Sequence, residues 1–214
     1  MDELRRKLRA LRVFVDEPPV FDTDAAPTEP IDLVRAWLGS AIDAGVSQPH
    51  AMVLATADAS GAPSARTVLL KDVTDEGLWF ASLSSSPKGR DLAANPRCAL
   101  TFYWREQGRQ IRVTGIATPG PREVSERDFL ARHPLSRAGA IAGVQSEPIV
   151  DAGAATAAAR RVIESDDSYV PADWHAYLVE PDSVEFWQSS PDRDQVRLRY
   201  RREKHGWNTA VIWP

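Results

Sequence analysis

Leu4, Leu8, Leu11 and Val15 recur every three or four residues, the period of one helical face, and predict a short amphipathic helix over residues 3–14. Asp16–Pro30 breaks the pattern. Its four prolines remove backbone donors and cannot sit in a ladder, so the stretch reads as a linker. Periodicity returns in Ile31–Gly45, where Ile31, Val34, Trp37, Leu38, Ala41 and Ile42 mark one face of a second helix and Gly45 suits its end.

The period then changes. "HAMVLATAD" reads as a strand, "ASGAP" as a turn, "SARTVLLKD" as the hairpin partner and "GLWFASL" as a third strand. "SPKGRDLAANP" starts as a helix, with Ser86 as cap, Pro87 at the first position and Pro96 as terminator. "RCALTFYW" and "RQIRVTGIATP" form two more strands across "REQG". "PREVSERDFLARH", "LSRAGAIAG" and the alanine-rich "DAGAATAAARRVIES" are helical, the last by propensity. Sheet returns with "WHAYLVEPDSVEFWQSS", "QVRLRYRRE" and "GWNTAVIWP". Short strands joined by tight turns suggest an antiparallel barrel or sandwich. The missing βαβ rhythm argues against a parallel doubly wound sheet. Strand segments on both sides of the helical insert are expected to close one barrel.

Composition narrows the classes. The 214 residues are 43 % hydrophobic, enough for a packed interior, and fit one domain or one large core with appendages. A net charge of −4 argues against a general nucleic-acid binder. Cys98 is the only cysteine, so an intrachain disulfide and a multi-cysteine metal site are both excluded; it reads as a small buried apolar residue. The N-terminus carries charges throughout, unlike a signal peptide, and no run reaches the length of a membrane span. A cytoplasmic protein is the expectation.

The candidate chemistry lies in basic residues that bracket apolar strands. Arg66, Lys71, Lys88 and Arg90 form one cluster, Arg132, Ser136 and Arg137 a second, and Arg193, Arg197 and Arg199 a third. Arginine suits bidentate phosphate binding and lysine acts as a compact charge. Gln110 and Gln145 supply amides and Trp187 a flat aromatic. Read singly, each is also an ordinary surface or core residue; together they suggest a phosphate-bearing ligand. The four histidines lack metal-ligand spacing, no serine–histidine–acid set is legible, and neither a GxGxxG nor a GxxxxGK[ST] loop is present.

The ordered strings "RTVLLKD", "GLWFASLSSSPKGRDLAANPRCAL", "RQIRVTG", "VQSE", "SVEFWQ" and "RLRY" resemble the pyridoxine/pyridoxamine 5'-phosphate oxidase family over about residue 45 to the C-terminus. The resemblance implies a mainly β fold: an antiparallel split β-barrel with flanking and inserted helices. Residues 1–30 would be an N-terminal helix and Pro-rich linker, and 31–214 an FMN-binding domain with a helical insert at 121–165. It further implies a homodimer with FMN at the subunit interface. The FMN positions would be Arg66, Thr67, Val68, Leu69, Leu70, Lys71, Ala81, Ser82, Lys88, Gln110, Gln145, Ser146, Trp187 and Arg197, with Gln145 and Ser146 coming from the other subunit. Substrate positions would be Lys71, Asp128, Arg132, Ser136, Arg193 and Gln195, with Arg193 as the catalytic candidate over the substrate.

The substrate side departs from the family pattern. Asp128 stands at a tyrosine position, Gln195 replaces the histidine of an Arg-x-His motif, Pro87 replaces an arginine, and "VIWP" lacks the usual C-terminal arginine. "FYWRE" is similar to the phenazine-biosynthesis branch of the same fold. The expected activity is oxidation of pyridoxamine or pyridoxine 5'-phosphate to pyridoxal 5'-phosphate, with molecular oxygen as acceptor. The alternatives are an oxidase of a secondary metabolite such as a dihydrophenazine precursor, and a non-enzymatic flavin-binding dimer. The expected partners are a second copy of the chain and a small phosphorylated or aromatic substrate, with no nucleic acid and no membrane.

Overall fold

The computed structural model describes residues 2–143, 145–149, 151–192 and 194–213. In chain order the elements are α1 (Glu3–Arg9), α2 (Pro30–Asp43), β1 (Ala51–Ala57), β2 (Pro63–Leu69), β3 (Asp72–Val73), β4 (Leu78–Leu83) and α3 (Pro87–Ala94). They continue with β5 (Arg97–Trp104), β6 (Arg109–Pro119), α4 (Arg122–Leu130), α5 (Pro134–Ala142), α6 (Ala152–Ser165), β7 (Trp174–Gln188), β8 (Val196–Glu203) and β9 (Gly206–Val211). The alternation of helix and strand patterns therefore places nearly every element where the sequence suggests. The first helix is the exception: it stops at Arg9 and buries none of its residues.

The expected fold class needs correction. Strand accounts for 33 % of the chain and helix for 29 %, so the protein is mixed α/β rather than mainly β. Nor is the sheet a closed split barrel. The strands pair in the order β2-β1-β5-β6-β7-β4-β3, with β8 joined to β7 and β9 to β8. The path ends at β2 on one side and at β3 on the other, and among the described residues no pairing joins the ends. The chain passes from one of these edges to the other at Leu70 and Lys71. The Leu70 amide bonds the His50 carbonyl, whereas the Lys71 amide bonds the Trp79 carbonyl. The chain changes partners there, and β3 runs for only two residues, too few to extend a ladder.

The chain divides into two compact units. The first comprises residues 1–49, 102–112 and 184–214. Its core is aromatic: Trp37 meets Phe21 and Phe186 edge-on at 4.8 and 5.2 Å, and Phe186 meets Tyr200 at 5.8 Å. Arg109 is buried against the Trp37 ring at 4.2 Å and satisfies its guanidinium on Gln188 Oε1 and the Val20 carbonyl. These bonds, with that from the Tyr200 hydroxyl to the Pro27 carbonyl, tie the proline-rich segment to its own unit. Helix α2 ends in a left-handed Gly45, with Val46 N–H on Ala41 O and Gly45 N–H on Ile42 O, the double bond of a Schellman cap.

The second unit comprises residues 50–101 and 113–183. Alternate residues of β1, β4 and β5 point inward, and Leu54, Phe80 and Leu100 are completely buried. Phe80 stacks on Tyr177 at 5.2 Å where β4 pairs with β7. Phe129 of α4 meets Trp174 edge-on at 5.3 Å beside Leu83, which anchors the inserted helices to the start of β7.

Candidate functional site

The site begins at the N-terminus of α3. Ser86 caps the helix, accepting from the Gly89 N–H at 3.2 Å and donating to the Leu83 carbonyl at 2.7 Å. Pro87 takes the first helical position, where no backbone donor is needed. Gly89 is required by close approach: a Cβ there would lie 2.4 Å from the Ser84 carbonyl oxygen. This tight turn brings Lys88 inward, and it is 6 % exposed. Its Nζ donates to Gln145 Oε1 at 2.7 Å and to Ser86 Oγ at 3.2 Å.

Both partners are neutral, and among the described residues no carboxylate pairs with Lys88. Burial holds its ammonium well below the ordinary lysine value, at about 8, and the nearby Arg66 guanidinium pushes in the same direction. Arg66 projects from β2, where its Nη1 donates to Thr56 Oγ1 at 2.7 Å and to the Leu54 carbonyl at 3.2 Å. Its other terminal nitrogen meets Ser64 Oγ and lies 3.9 Å from Asp91. Burial lowers the Arg66 pKa, and the Asp91 carboxylate opposes that shift. Two cations thus lie close enough to repel each other, and the carboxylate Asp91 is 3.9 Å from one of them, Arg66.

Around Lys88 lies a cavity of about 1040 Å³. Ala81, Ser82, Arg132, Ser136, Gln145 and Ser146 line it, so the structure brings together seven of the site residues expected from the sequence when Lys88 is counted. The turn after α5 carries Gln145 and Ser146, and Gln145 accepts from Lys88 within the chain.

Asp128 and Lys71 stand beside this cavity rather than in its lining. Lys71 Nζ is 3.5 Å from Asp128 Oδ1, and Trp174 Nε1 donates to Asp128 Oδ2 at 3.1 Å. The Arg132 guanidinium lies 4.5 Å over the Trp174 ring. Arg132 Nε is buried without a hydrogen-bond partner among the described residues, and burial lowers its pKa while Asp128 raises it. Thr67, Val68, Leu69 and Leu70 run along or just past β2; Thr67, Leu69 and Arg66 pair with Val53, Ala51 and Leu54 of β1.

Other expected residues fall in the first unit. Gln110 lies on β6. Trp187 of β7 donates through Nε1 to Gln195 Oε1 at 2.9 Å. Arg197 of β8 donates to Glu185 Oε1 at 2.9 Å, and Arg112 reaches the same carboxylate at 3.3 Å. Arg197 Nε is buried without a partner among the described residues. Arg193 lies outside the described residues. Cys98 is buried on β5, and burial pushes its thiol up to about 12, as expected of an inert core residue.

Sequence reasoning missed Trp174 and Glu185. Trp174 supports Arg132 and binds Asp128, yet its string "WHAYL" reads only as a strand start. Its role arises from the packing of α4 on β7, in which Arg122 bonds the Val170, Pro171 and Trp174 carbonyls. Glu185 carried a detectable signal: on β7 it alternates with buried Val184 and Phe186, so it lies on the opposite face from the core.

Comparison with known proteins identifies relatives of the chain. The sequence pattern of pyridoxamine 5'-phosphate oxidase matches residues 38–188, and that of the pyridoxine 5'-phosphate oxidase C-terminal dimerisation region matches residues 174–214. The chain is 42 % identical over 210 residues to a pyridoxine/pyridoxamine 5'-phosphate oxidase of Nocardioides sp., covering 97 % of this chain and 98 % of the relative. It is 39 % identical to the oxidase of the same name from Burkholderia multivorans, covering 97 % and 99 %. Among solved structures, PhzG from Burkholderia lata in complex with tetrahydrophenazine-1-carboxylic acid superposes with a TM-score of 0.85 at 33 % identity, covering 92 % of this chain and 99 % of that one. From the ordered motifs, the assembled basic cavity and relatives matching almost end to end, it follows that the chain belongs to the pyridoxine/pyridoxamine 5'-phosphate oxidase family.

Proposed function

We propose that this protein is an FMN-dependent oxidase and that its reaction converts pyridoxamine or pyridoxine 5'-phosphate to pyridoxal 5'-phosphate. The observation that carries the reading is Lys88: a buried ammonium whose partners among the described residues are neutral, next to a second cation, in a cavity large enough for a nucleotide. A buried charge is costly without a counter-charge, and a phosphate supplies one. The residues present therefore fit FMN. Lys88 and Arg66 would hold its phosphate, with Ser82, Gln145 and Ser146 donating or accepting around them. Gln110, Trp187 and Arg197 are proposed as further FMN contacts, and the family's C-terminal region as the dimer contact.

Bound there, FMN would accept a hydride equivalent from the substrate C4' carbon and pass the electrons to oxygen. With the amine substrate, water and oxygen are consumed while ammonia and hydrogen peroxide are released. The chain's own residues bind and orient. Arg132 and Ser136 present donors to the acid group of the substrate, and the Trp174 ring fixes the Arg132 plane. Arg193 is proposed to lie over the substrate ring. Gln195 neither carries nor moves a proton at neutral pH; its carbonyl oxygen holds the Trp187 indole in place.

A second reading is an oxidase acting on a carboxylated tricyclic compound. It is favoured by the Lys71–Asp128 ion pair, which consumes a positive charge that a phosphate would use. The test begins with the purified protein: visible flavin absorbance and chromatography of the released cofactor should identify FMN. Oxygen consumption is then measured with pyridoxamine 5'-phosphate and with a dihydrophenazine carboxylate. A colourless protein that does not take up added FMN overturns the flavin reading. A flavoprotein that turns over only the tricyclic acid establishes the second.

A further inference from the structure

Three positively or negatively charged side chains govern the substrate end of the site, and their arithmetic is unusual. Lys71 and Arg132 contribute two positive charges, and Asp128 removes one. The Asp128 side chain is 13 % exposed and that of Lys71 33 %, so solvent screens their interaction only in part. Asp128 cannot swing away freely. One oxygen faces Lys71 at 3.5 Å and the other accepts the Trp174 indole N–H at 3.1 Å. The same indole ring carries Arg132 at 4.5 Å, and Arg132 Nε is buried without a partner among the described residues. The carboxylate is therefore fixed between both cations, one by direct pairing and one through the tryptophan.

We propose that Asp128 is a specificity-determining residue that lowers the net positive charge of this subsite and so narrows its preference for a phosphate dianion over a singly charged acid group on the same ring. This rests on the oxidase reading above and refines its substrate class. A phosphate monoester carries roughly two negative charges at neutral pH, while a carboxylate or a phosphodiester carries one. Repulsion from Asp128 scales with the ligand's charge, so it is felt twice over by the dianion. A purely structural role, holding Trp174 and through it Arg132, would affect all ligands alike. That difference separates the two roles.

The experiment measures equilibrium binding to the FMN-loaded protein by dialysis, with no turnover required. Three probes share one ring: pyridoxal, the monomethyl ester of pyridoxal 5'-phosphate, and pyridoxal 5'-phosphate, with acid-group charges of zero, one and two. Asp128→Asn preserves the side-chain shape and an oxygen able to accept from Trp174 while removing the charge. It should leave pyridoxal binding unchanged, tighten the methyl ester about fourfold and tighten the phosphate about sixteenfold, as expected for a charge acting on one and then two ligand charges through a water-like dielectric. A second variant guards against a folding defect. Lys71→Gln should weaken phosphate binding, and the loss should be larger when Asp128→Asn is also present, because the cation is then no longer cancelled. Equal tightening of all three probes, or none for the phosphate, overturns the charge role while leaving the oxidase reading intact. Failure of both wild type and Asp128→Asn to bind any of the probes, with flavin loaded, overturns the pyridoxal-type substrate reading itself.

Discussion

At the scale of single residues, Lys88 concentrates the energetics of the site. Replacing it with Met should weaken FMN binding about tenfold to a hundredfold, the worth of one charge-assisted hydrogen bond of roughly 1.5–3 kcal/mol. Arg202→Ala is the control, since Arg202 stacks on Trp207 at 4.5 Å in the other unit. Titration of the apo-protein with FMN checks both. Lys88 also imposes a pH dependence. Its folded-state value is about 8 against the ordinary 10.5. Between those values the unfolded chain holds the proton and the folded chain does not, so the stability of ligand-free protein rises with pH across that window. The penalty is present in full below about 8. FMN binding has the opposite sign, because the phosphate needs the ammonium: affinity should fall as pH rises past about 8. Chemical denaturation and FMN titration across this range, on wild type and Lys88→Met, should show both slopes in the first protein and lose the lysine contribution in the second.

At the scale of elements, the turn into α3 places Lys88. Gly89 tolerates no side chain, because a Cβ would sit 2.4 Å from one backbone carbonyl oxygen and 2.5 Å from another. Backbone atoms cannot give way as a flexible side chain can. Gly89→Ala should therefore destabilise the protein by about 1–3 kcal/mol, as overpacking does, and weaken FMN by displacing Lys88. Ser86→Ala removes the cap but adds no clash, so about 1 kcal/mol of stability should be lost. Urea denaturation orders the two variants, and a smaller effect for Gly89→Ala than for Ser86→Ala would contradict this account of the turn. The cap and the helix-starting proline were legible in "SSSPKG" because both act through adjacent backbone groups. The need for glycine was not, because the carbonyls that exclude a Cβ come from the fold of β4 into α3.

At the scale of the whole molecule, the match of residues 174–214 to a dimerisation region leads to an expected two-fold homodimer. Light scattering at micromolar protein should give twice the mass of the chain, and removal of β8 and β9 should yield monomers or unfolded protein. Gln145 accepts from Lys88, so Gln145→Ala should weaken FMN binding, and the two residues are expected to serve the same FMN site. Subunit-mixing with a Lys88→Met chain checks this: Lys88 and Gln145 defects should fall on the same FMN site and leave the partner's site intact.

The sequence by itself determined the elements and the family. Hydrophobic periods of two and of three to four, proline and glycine stops, and a capping serine are local, so nearly every helix and strand is readable without the fold. The ordered motifs bring Lys88, Arg132, Ser136, Gln145 and their neighbours into view as one site. Tertiary structure alone decided the rest. Whether a sheet closes depends on which strands pair last, and β3, only two residues long, is too short to carry the ladder further. The contact of Gln145 with Lys88, the tryptophan beneath Arg132 and the carboxylate that cancels Lys71 all depend on contacts between segments far apart in sequence. Those contacts are set by the packing of α4 on β7 and by the turn after α5, and neither leaves a periodic trace along the chain.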